Sequence, residues 1–384
     1  MNILVVCNYD LYQNLSYSFV HNLIREYTKL GHRVRVIIPV AMGKRARNGK
    51  RFDRPILISQ ADGVEMYDLR FPSLGKYGRK RFNLVSLFAT VRVLRRKLLK
   101  DFSPDVIHAH TFGADSELGA VLKKMLGCPL VVTTHGGDTN IPLANGQHEL
   151  LKAYCDRADV VAAVSSKLKK GLESCNPKTE IRLMYNGFNL RPYPDKCAKD
   201  PNAIIQVGNL IPSKRVDVTI RALAKLRERD ADLTLTVIGQ GPLRGELEAL
   251  CGQLGVSEFV RFLGAKPNDE VFQKMCESSI FVMASKPEGF GIVYLEAMNA
   301  GCVAIGTETE GIADVIENSV NGFLVPADDV DAVVNVVEKI MADPAAAEKI
   351  AARGKELVQK MTWADSACQY DALFQELINE QAKR

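Results

Sequence analysis

At 384 residues, 47% of them hydrophobic and 25% charged, the chain is too long for one ordinary domain and has the composition of a globular protein with two. No apolar run approaches the roughly 18 residues that read as a membrane span. The nine cysteines are scattered, with no CxxC pair and no zinc spacing, which sets aside a disulfide framework and points to free thiols in a reducing cytoplasm.

The net charge of +5 conceals a division: residues 1–190 hold 29 Lys and Arg against 16 Asp and Glu, whereas residues 191–384 hold 21 against 29. All six histidines precede residue 150, and only the basic half would attract an anionic surface or polymer. The chain opens with "MNILVVCNYD", apolar but without a basic leader or a small-residue cleavage site, and reads as a first strand rather than a signal peptide. "ILVVCN", "RVRVIIP", "DVIHAH", "LVVTTH" and "DVVAAVS" form one series of strands. "AIIQVG", "LTLTVIG", "FVRFLG", "SIFVMAS" and "CVAIGT" form a second. Near-continuous Val, Ile and Leu runs separated by helical stretches predict parallel sheets buried on both faces, in doubly wound α/β domains.

Within the first series, two basic stretches, 43–54 and 75–82, bracket a helix whose Leu84, Leu87, Phe88, Val91, Leu94 and Leu98 share a face ringed by Arg92, Arg95, Arg96 and Lys97. An ordinary crossover helix accounts for that face; its outward arginines would still favour an anionic membrane. Interleaved aromatics and reader motifs are lacking, so nucleic acid is not expected as a partner. His108 and His110 share a strand face, where a packed or ligand-facing pair is expected rather than a metal site.

"RPYPDKCAKDPN", residues 191–202, is the linker, so the expected domains are 1–190 and 203–362. "GNLIPSKRVDVTIRAL" follows, with Ser213 as a helix N-cap and Lys214 and Arg215 in the first turn. Cations there oppose the helix dipole, which hints at an anionic ligand, although a solvated basic turn explains them as well. "TVIGQGPLRG" departs from the dinucleotide fingerprint at Arg244 and has no acidic residue about 20 positions on, so Gly241 is read as part of a tight turn beside a ligand. In "PEGFGIVYLEAM", Gly289 and Gly291 free the backbone for close approach, and the amides from Phe290 through Ile292 and Val293 open a helix. Such an opening holds a diphosphate, with Lys214 facing it. Glu296, one turn in, can accept from ribose hydroxyls, and Glu288 from hydroxyls of whatever the diphosphate carries. A capped helix with acidic first turns is the plain alternative. From about residue 328 the chain is helical, and its final segment, 363–384, begins at Trp363, read as an anchor that returns it to the first domain.

The pattern E-x7-E within "PEGFGIVYLEAMNAGCVAIGTETEGIADVI" resembles the signature of the retaining glycosyltransferases of family 4, which have the two-domain GT-B fold. "DVIHAHTFGADSELGAVLKKMLGCPLVVTTHGGD", "MYNGFN", "GNLIPSKRVDVTIRAL", "TVIGQGPLRGELE", "VRFLG" and "VNGFLVP" follow in the family's order. The resemblance implies two Rossmann-like domains facing a cleft. It implies that Glu288 binds the donor sugar, Glu296 the ribose and Lys214 the diphosphate, that His135 approaches the sugar, and that the base stacks near Arg261 and Phe262. Three departures stand out: Asn209 where the family often has arginine, Glu310 where many members have glycine, and Asp314 for glutamate. The loop "YDLYQNLSYSFV" replaces a glycine-rich one and is expected to face the acceptor, with Tyr17, Ser18, His110 and Asp138 on that side.

The expected function is metal-independent, cofactor-free, retaining transfer of a sugar from a nucleoside-diphosphate sugar, UDP preferred over GDP, to a glycan or lipid-linked acceptor. Such an enzyme would serve cell-surface polysaccharide or glycolipid synthesis in the cytoplasm, peripheral to the inner face of the membrane. A nucleotide-sugar epimerase on the same fold and a non-catalytic sugar-nucleotide binding homologue are the rivals.

Overall fold

The computed structural model describes residues 1–7, 19–42, 56–61, 63–72, 101–193, 198–229 and 231–383. Tyr17, Ser18, the basic stretches 43–54 and 75–82, and the amphipathic segment 84–98 lie outside the described residues. The chain divides into two compact units, Met1–Tyr185 with Trp363–Arg384, and Asn186–Thr362.

In the first unit, β1 (Asn2–Val6), β2 (Arg33–Met42), β3 (Ile56–Ala61), β4 (Val64–Pro72), β5 (Val106–His110), β6 (Leu130–Thr134), β7 (Val160–Ala163) and β8 (Glu180–Leu183) form one sheet. Its order is β3-β4-β2-β1-β5-β6-β7-β8. Every pair is parallel except the β3–β4 hairpin. Strands β5, β6 and β7 are buried along their whole length. That is why their sequences are runs rich in Val, Ile, Leu and Ala rather than strict alternations, with His108, His110, Thr133 and Thr134 as buried polar exceptions. The hairpin was not expected. Its outer strand, β3, is the sheet edge, where Ile58 is 52% exposed.

The last helix, Trp363–Ala382, belongs to this unit. Trp363, Tyr370 and Phe374 are buried. The Tyr370 hydroxyl lies 2.8 Å from Thr133 Oγ1 at the end of β6, and Arg182 on β8 pairs with Glu376. The return of this helix to the first domain is therefore observed, with Trp363 as its anchor.

In the second unit, β9 (Asp200–Val207), β10 (Thr234–Ile238), β11 (Val260–Gly264), β12 (Ser278–Val282), β13 (Val303–Thr307) and β14 (Phe323–Val325) form a wholly parallel sheet in the order β11-β10-β9-β12-β13-β14. Ile204, Leu235, Val237, Ile280, Val282 and Ile305 supply the centre of its core. The strand order reverses direction between β9 and β12. In open α/β sheets ligands bind at that switch point, outside the carboxyl ends of the two strands.

Two boundaries differ from expectation. Residues 186–190 fall in the second unit, because the Phe188 amide donates to Met361 O (3.1 Å) and Phe188 bridges Thr362. Of the expected linker 191–202, residues 194–197 lie outside the described residues; among the rest, β9 begins at Asp200 and the Arg191 carbonyl accepts from Asn299 Nδ2 (3.0 Å). The long helical stretch after residue 328 is broken at Asp343, whose side chain caps Ala346 N (2.9 Å) just before Pro344.

Candidate functional site

Chain leaving β9 and chain leaving β12 meet at the switch point of the second unit. After β9 comes Gly208, Asn209 and Leu210, then a 3-10 turn Pro212–Lys214, then a helix Val216–Arg227. Ser213 is not the helix cap that its type suggested. Arg215 occupies that place in the left-handed region, at φ 48°, and Lys214 precedes the helix rather than opening it. Lys214 is instead held by the sheet. Its carbonyl accepts from Gln206 Nε2 (2.8 Å), and its aliphatic stem runs beside Gly208. The Lys286 amide, from the loop after β12, donates to Ser213 O (2.7 Å) and stitches the two loops together.

That stitching brings Lys214 Nζ onto Glu288 Oε2, and both side chains are mostly buried. Glu288 Oε1 accepts from the next amide, that of Gly289 (3.2 Å). Gly291, at φ 85°, then turns the chain into the helix Ile292–Asn299; a Cβ there would fall 2.6 Å from the Tyr294 ring. Tyr294, fully buried, donates its hydroxyl to Met283 O and fixes the helix against β12. The Tyr294 amide finds Gly291 O (3.0 Å). The opening amides of a helix, here Ile292 and Val293, have no acceptor within it and carry the positive end of its dipole. Phe290 is 2% exposed, so its ring packs inward.

Glu296 lies one turn on, half-buried, in a recess shared with Arg191, Asn268, Val271, Phe272 and Met275. Burial pushes its carboxyl up to about 7, opposed by the Arg191 guanidinium. Arg191 also pairs with Asp269 and lies 5.8 Å over the Phe272 ring. No sequence signal marked Arg191, which stands in a proline-rich stretch. Arg215 is engaged by Asp328 (2.8 Å). Asn209 is exposed in the β9 loop, Arg261 is exposed on β11, and Phe262 packs partly against the core. Gly241 has a packing reason of its own, since a Cβ there would lie 2.3 Å from Leu210 O; the loops after β9 and β10 touch backbone to backbone.

Glu310, a departure from the family pattern, is buried, and its Oε2 accepts from the Glu288 amide (2.6 Å). Sequence alone marked the residue but not the contact, which is tertiary.

The first unit holds the other predicted residues. His135, after β6, lies with Nε2 3.1 Å from His110 Nδ1, the two rings stacked at 5.4 Å, and Phe19 packs on it at 4.1 Å. Asp138 pins this loop by accepting from the amides of Phe112 (2.9 Å), His135 (3.1 Å) and Gly136 (3.0 Å). Burial raises the Asp138 carboxyl, against the pull of those amides. Burial also holds the imidazoles neutral: His110 is lowered to about 3, and His135 and His108 fall well below the usual histidine range. His108 is a packed residue, bonded to Tyr27 OH (3.1 Å) and Thr133 Oγ1 (2.8 Å) beneath Tyr370. Among the described residues no group of three or more His, Cys, Asp or Glu is placed to hold a metal ion, and no helix is long and apolar enough to cross a membrane.

Two family models match the chain: "Glycosyltransferase Family 4" over residues 18–191 and "Glycosyl transferases group 1" over residues 194–357. An uncharacterized glycosyltransferase of Methanocaldococcus jannaschii is 30% identical over 292 residues, 68% of this chain and 73% of the relative. The GDP-mannose-dependent alpha-(1-6)-phosphatidylinositol monomannoside mannosyltransferase of Mycolicibacterium smegmatis is 26% identical, over 76% of this chain and 82% of the relative. Among solved structures, Anabaena Alr3699/HepE in complex with UDP superposes with a TM-score of 0.75 at 18% identity, covering 98% of this chain and 100% of that one.

Proposed function

The chain belongs to the group 1 glycosyltransferases of family 4, with the GT-B fold, and from that premise we propose that it transfers a sugar, with retention, from a nucleoside-diphosphate sugar to a hydroxyl acceptor. One observation carries the reading: at the switch point of the second unit, the Lys214 ammonium rests on the Glu288 carboxylate beside the opening of the helix Ile292–Asn299. A cation and a helix opening together suit a diphosphate, and the carboxylate suits the hydroxyls of a sugar attached to it.

Without donor, the ion pair compensates two mostly buried charges. With donor, Lys214 turns to the phosphates and releases Glu288 to accept from the sugar hydroxyls, while Glu296 accepts from the ribose. As the bond from the anomeric carbon to the phosphate oxygen breaks, its electron pair stays on the diphosphate. Lys214 and the amides of Ile292 and Val293 stabilise that charge, so the mechanism calls for no metal. The acceptor hydroxyl forms the new bond from the same face and passes its proton to the departing diphosphate oxygen. The neutral His135–His110 pair offers a hydrogen-bonding group without adding a cation.

UDP-sugar is the preferred donor, supported by the UDP that HepE carries; the mycobacterial relative's GDP-mannose keeps GDP in the test. A lipid-linked or glycan acceptor, in surface polysaccharide or glycolipid synthesis at the cytoplasmic face of a membrane, is supported by the phosphatidylinositol monomannoside in that relative's name and by the basic first half. Retention on anionic liposomes at low salt tests the membrane proposal, and failure to be retained rejects it. Incubation with UDP- and GDP-sugars, with and without an acceptor, tests the reaction class. Net transfer with an α-linked product from an α-linked donor is expected. An epimerised donor formed without acceptor favours the isomerase.

A further inference from the structure

We propose that Glu310 is a positioning residue for Glu288, fixing the peptide from which the sugar-binding carboxylate projects. The inference rests on the function proposed above and assigns a role to a residue that departs from the family pattern.

Glu310 is 3% exposed, yet its carboxylate bonds a neutral amide, that of Glu288, at 2.6 Å. A buried acceptor is favoured where it satisfies a donor, and the Glu310 oxygen gives the Glu288 amide a short bond of defined direction. The surroundings prevent slack. Thr307 Oγ1 donates to Ser285 O (3.0 Å), tying the roots of the two loops. A Cβ on Gly311 would fall 2.2 Å from Gly289 O and 2.7 Å from Phe290 Cα, so the loops are in backbone contact just past the bond. The Glu310 carbonyl accepts from Ala313 N (3.0 Å), which anchors its own end in the 3-10 turn Gly311–Asp314. Glu288 is therefore held at both ends, its amide by Glu310 and its carboxylate by Lys214. When a donor draws Lys214 away, the Glu310 bond and the loop packing still hold the Glu288 backbone.

The test compares Glu310→Ala and Glu310→Gln with wild type in kcat, donor KM and thermal stabilisation by nucleoside diphosphate. Misplacing a substrate-binding group by about 1 Å costs on the order of a hundredfold in rate. A kcat loss of tens- to a hundredfold is therefore expected in Glu310→Ala, with the diphosphate response kept, since Lys214 and the helix amides are untouched. Glu310→Gln still presents an oxygen to the Glu288 amide and is expected within a few-fold of wild type. If Glu310→Ala does not fold, Glu310→Asp, which keeps the charge but withdraws the oxygen by one methylene, is expected to show the same kcat loss. Wild-type kcat in Glu310→Ala or Glu310→Asp overturns the proposal, as does equal loss in Glu310→Gln or parallel loss of diphosphate binding. A wild-type protein that transfers no sugar from any donor is a different result: it removes the proposed function itself, and this role with it.

Discussion

Glu296→Gln separates what the site costs the fold from what it does for the ligand. Burial raises the Glu296 carboxyl from 4.5 to about 7 in the folded protein, even with Arg191 opposing. The folded state thus binds this proton more tightly than the unfolded chain. Below about pH 4.5 both states are protonated and the residue costs nothing. As pH rises from 4.5 through 7 the unfolded chain ionises first, and stability falls until both states are ionised. At about 1.4 kcal/mol per pH unit the difference is about 3.5 kcal/mol, and partial exposure reduces it to about 2. Glutamine mimics the protonated form at every pH, and Arg191 keeps its Asp269 partner. Urea denaturation should therefore show the variant about 2 kcal/mol more stable at pH 8 and equal to wild type near pH 4.5. Nucleoside diphosphate affinity should fall about 10-fold or more at pH 8, because a hydrogen bond to a charged acceptor is worth roughly 1.5–3 kcal/mol. Equal stability at pH 8, or a gain of the same size at both pH values, refutes the reasoning.

Glu288→Ala should leave folding intact and lower transfer by orders of magnitude, read as initial rate with the far-UV spectrum as control; unchanged turnover removes its assigned role. Gly241→Ala, by contrast, should reduce the denaturation midpoint, at a cost of about 1–3 kcal/mol, because the new methyl meets Leu210 O at 2.3 Å. Asn209→Arg restores a cation at an exposed position of the β9 loop and should tighten diphosphate binding in titration calorimetry, with the gain shrinking as salt is raised.

The parallel strands were legible because strands such as β6 and β7 are buried along their length and are mostly Val, Leu and Ala. The β3–β4 hairpin was missed because an edge hairpin leaves residues such as Ile58 outside and shows only a weak alternation. The placement of Glu288 before a helix and Glu296 within it could be read from the glycines, since Gly291 adopts a conformation that glycine tolerates. The cap of the preceding helix could not. Arg215 takes the left-handed region at φ 48° with no sequence mark, and the serine two residues earlier is the more conventional candidate. Glu310 and Arg191 depend on tertiary contacts, with Glu288 and with Asp269 and Asn299, that local pattern does not encode.

In the proposed reaction Lys214 and the helix opening beside Glu288 grip a diphosphate. Thermal unfolding of wild type and Lys214→Ala across a UDP titration tests it most directly, since a ligand that binds only the folded state raises its stability by mass action. A concentration-dependent rise in Tm is expected for wild type, largely lost in a folded Lys214→Ala protein. A wild type that responds to neither UDP nor GDP, or a variant that responds as strongly as wild type, contradicts it.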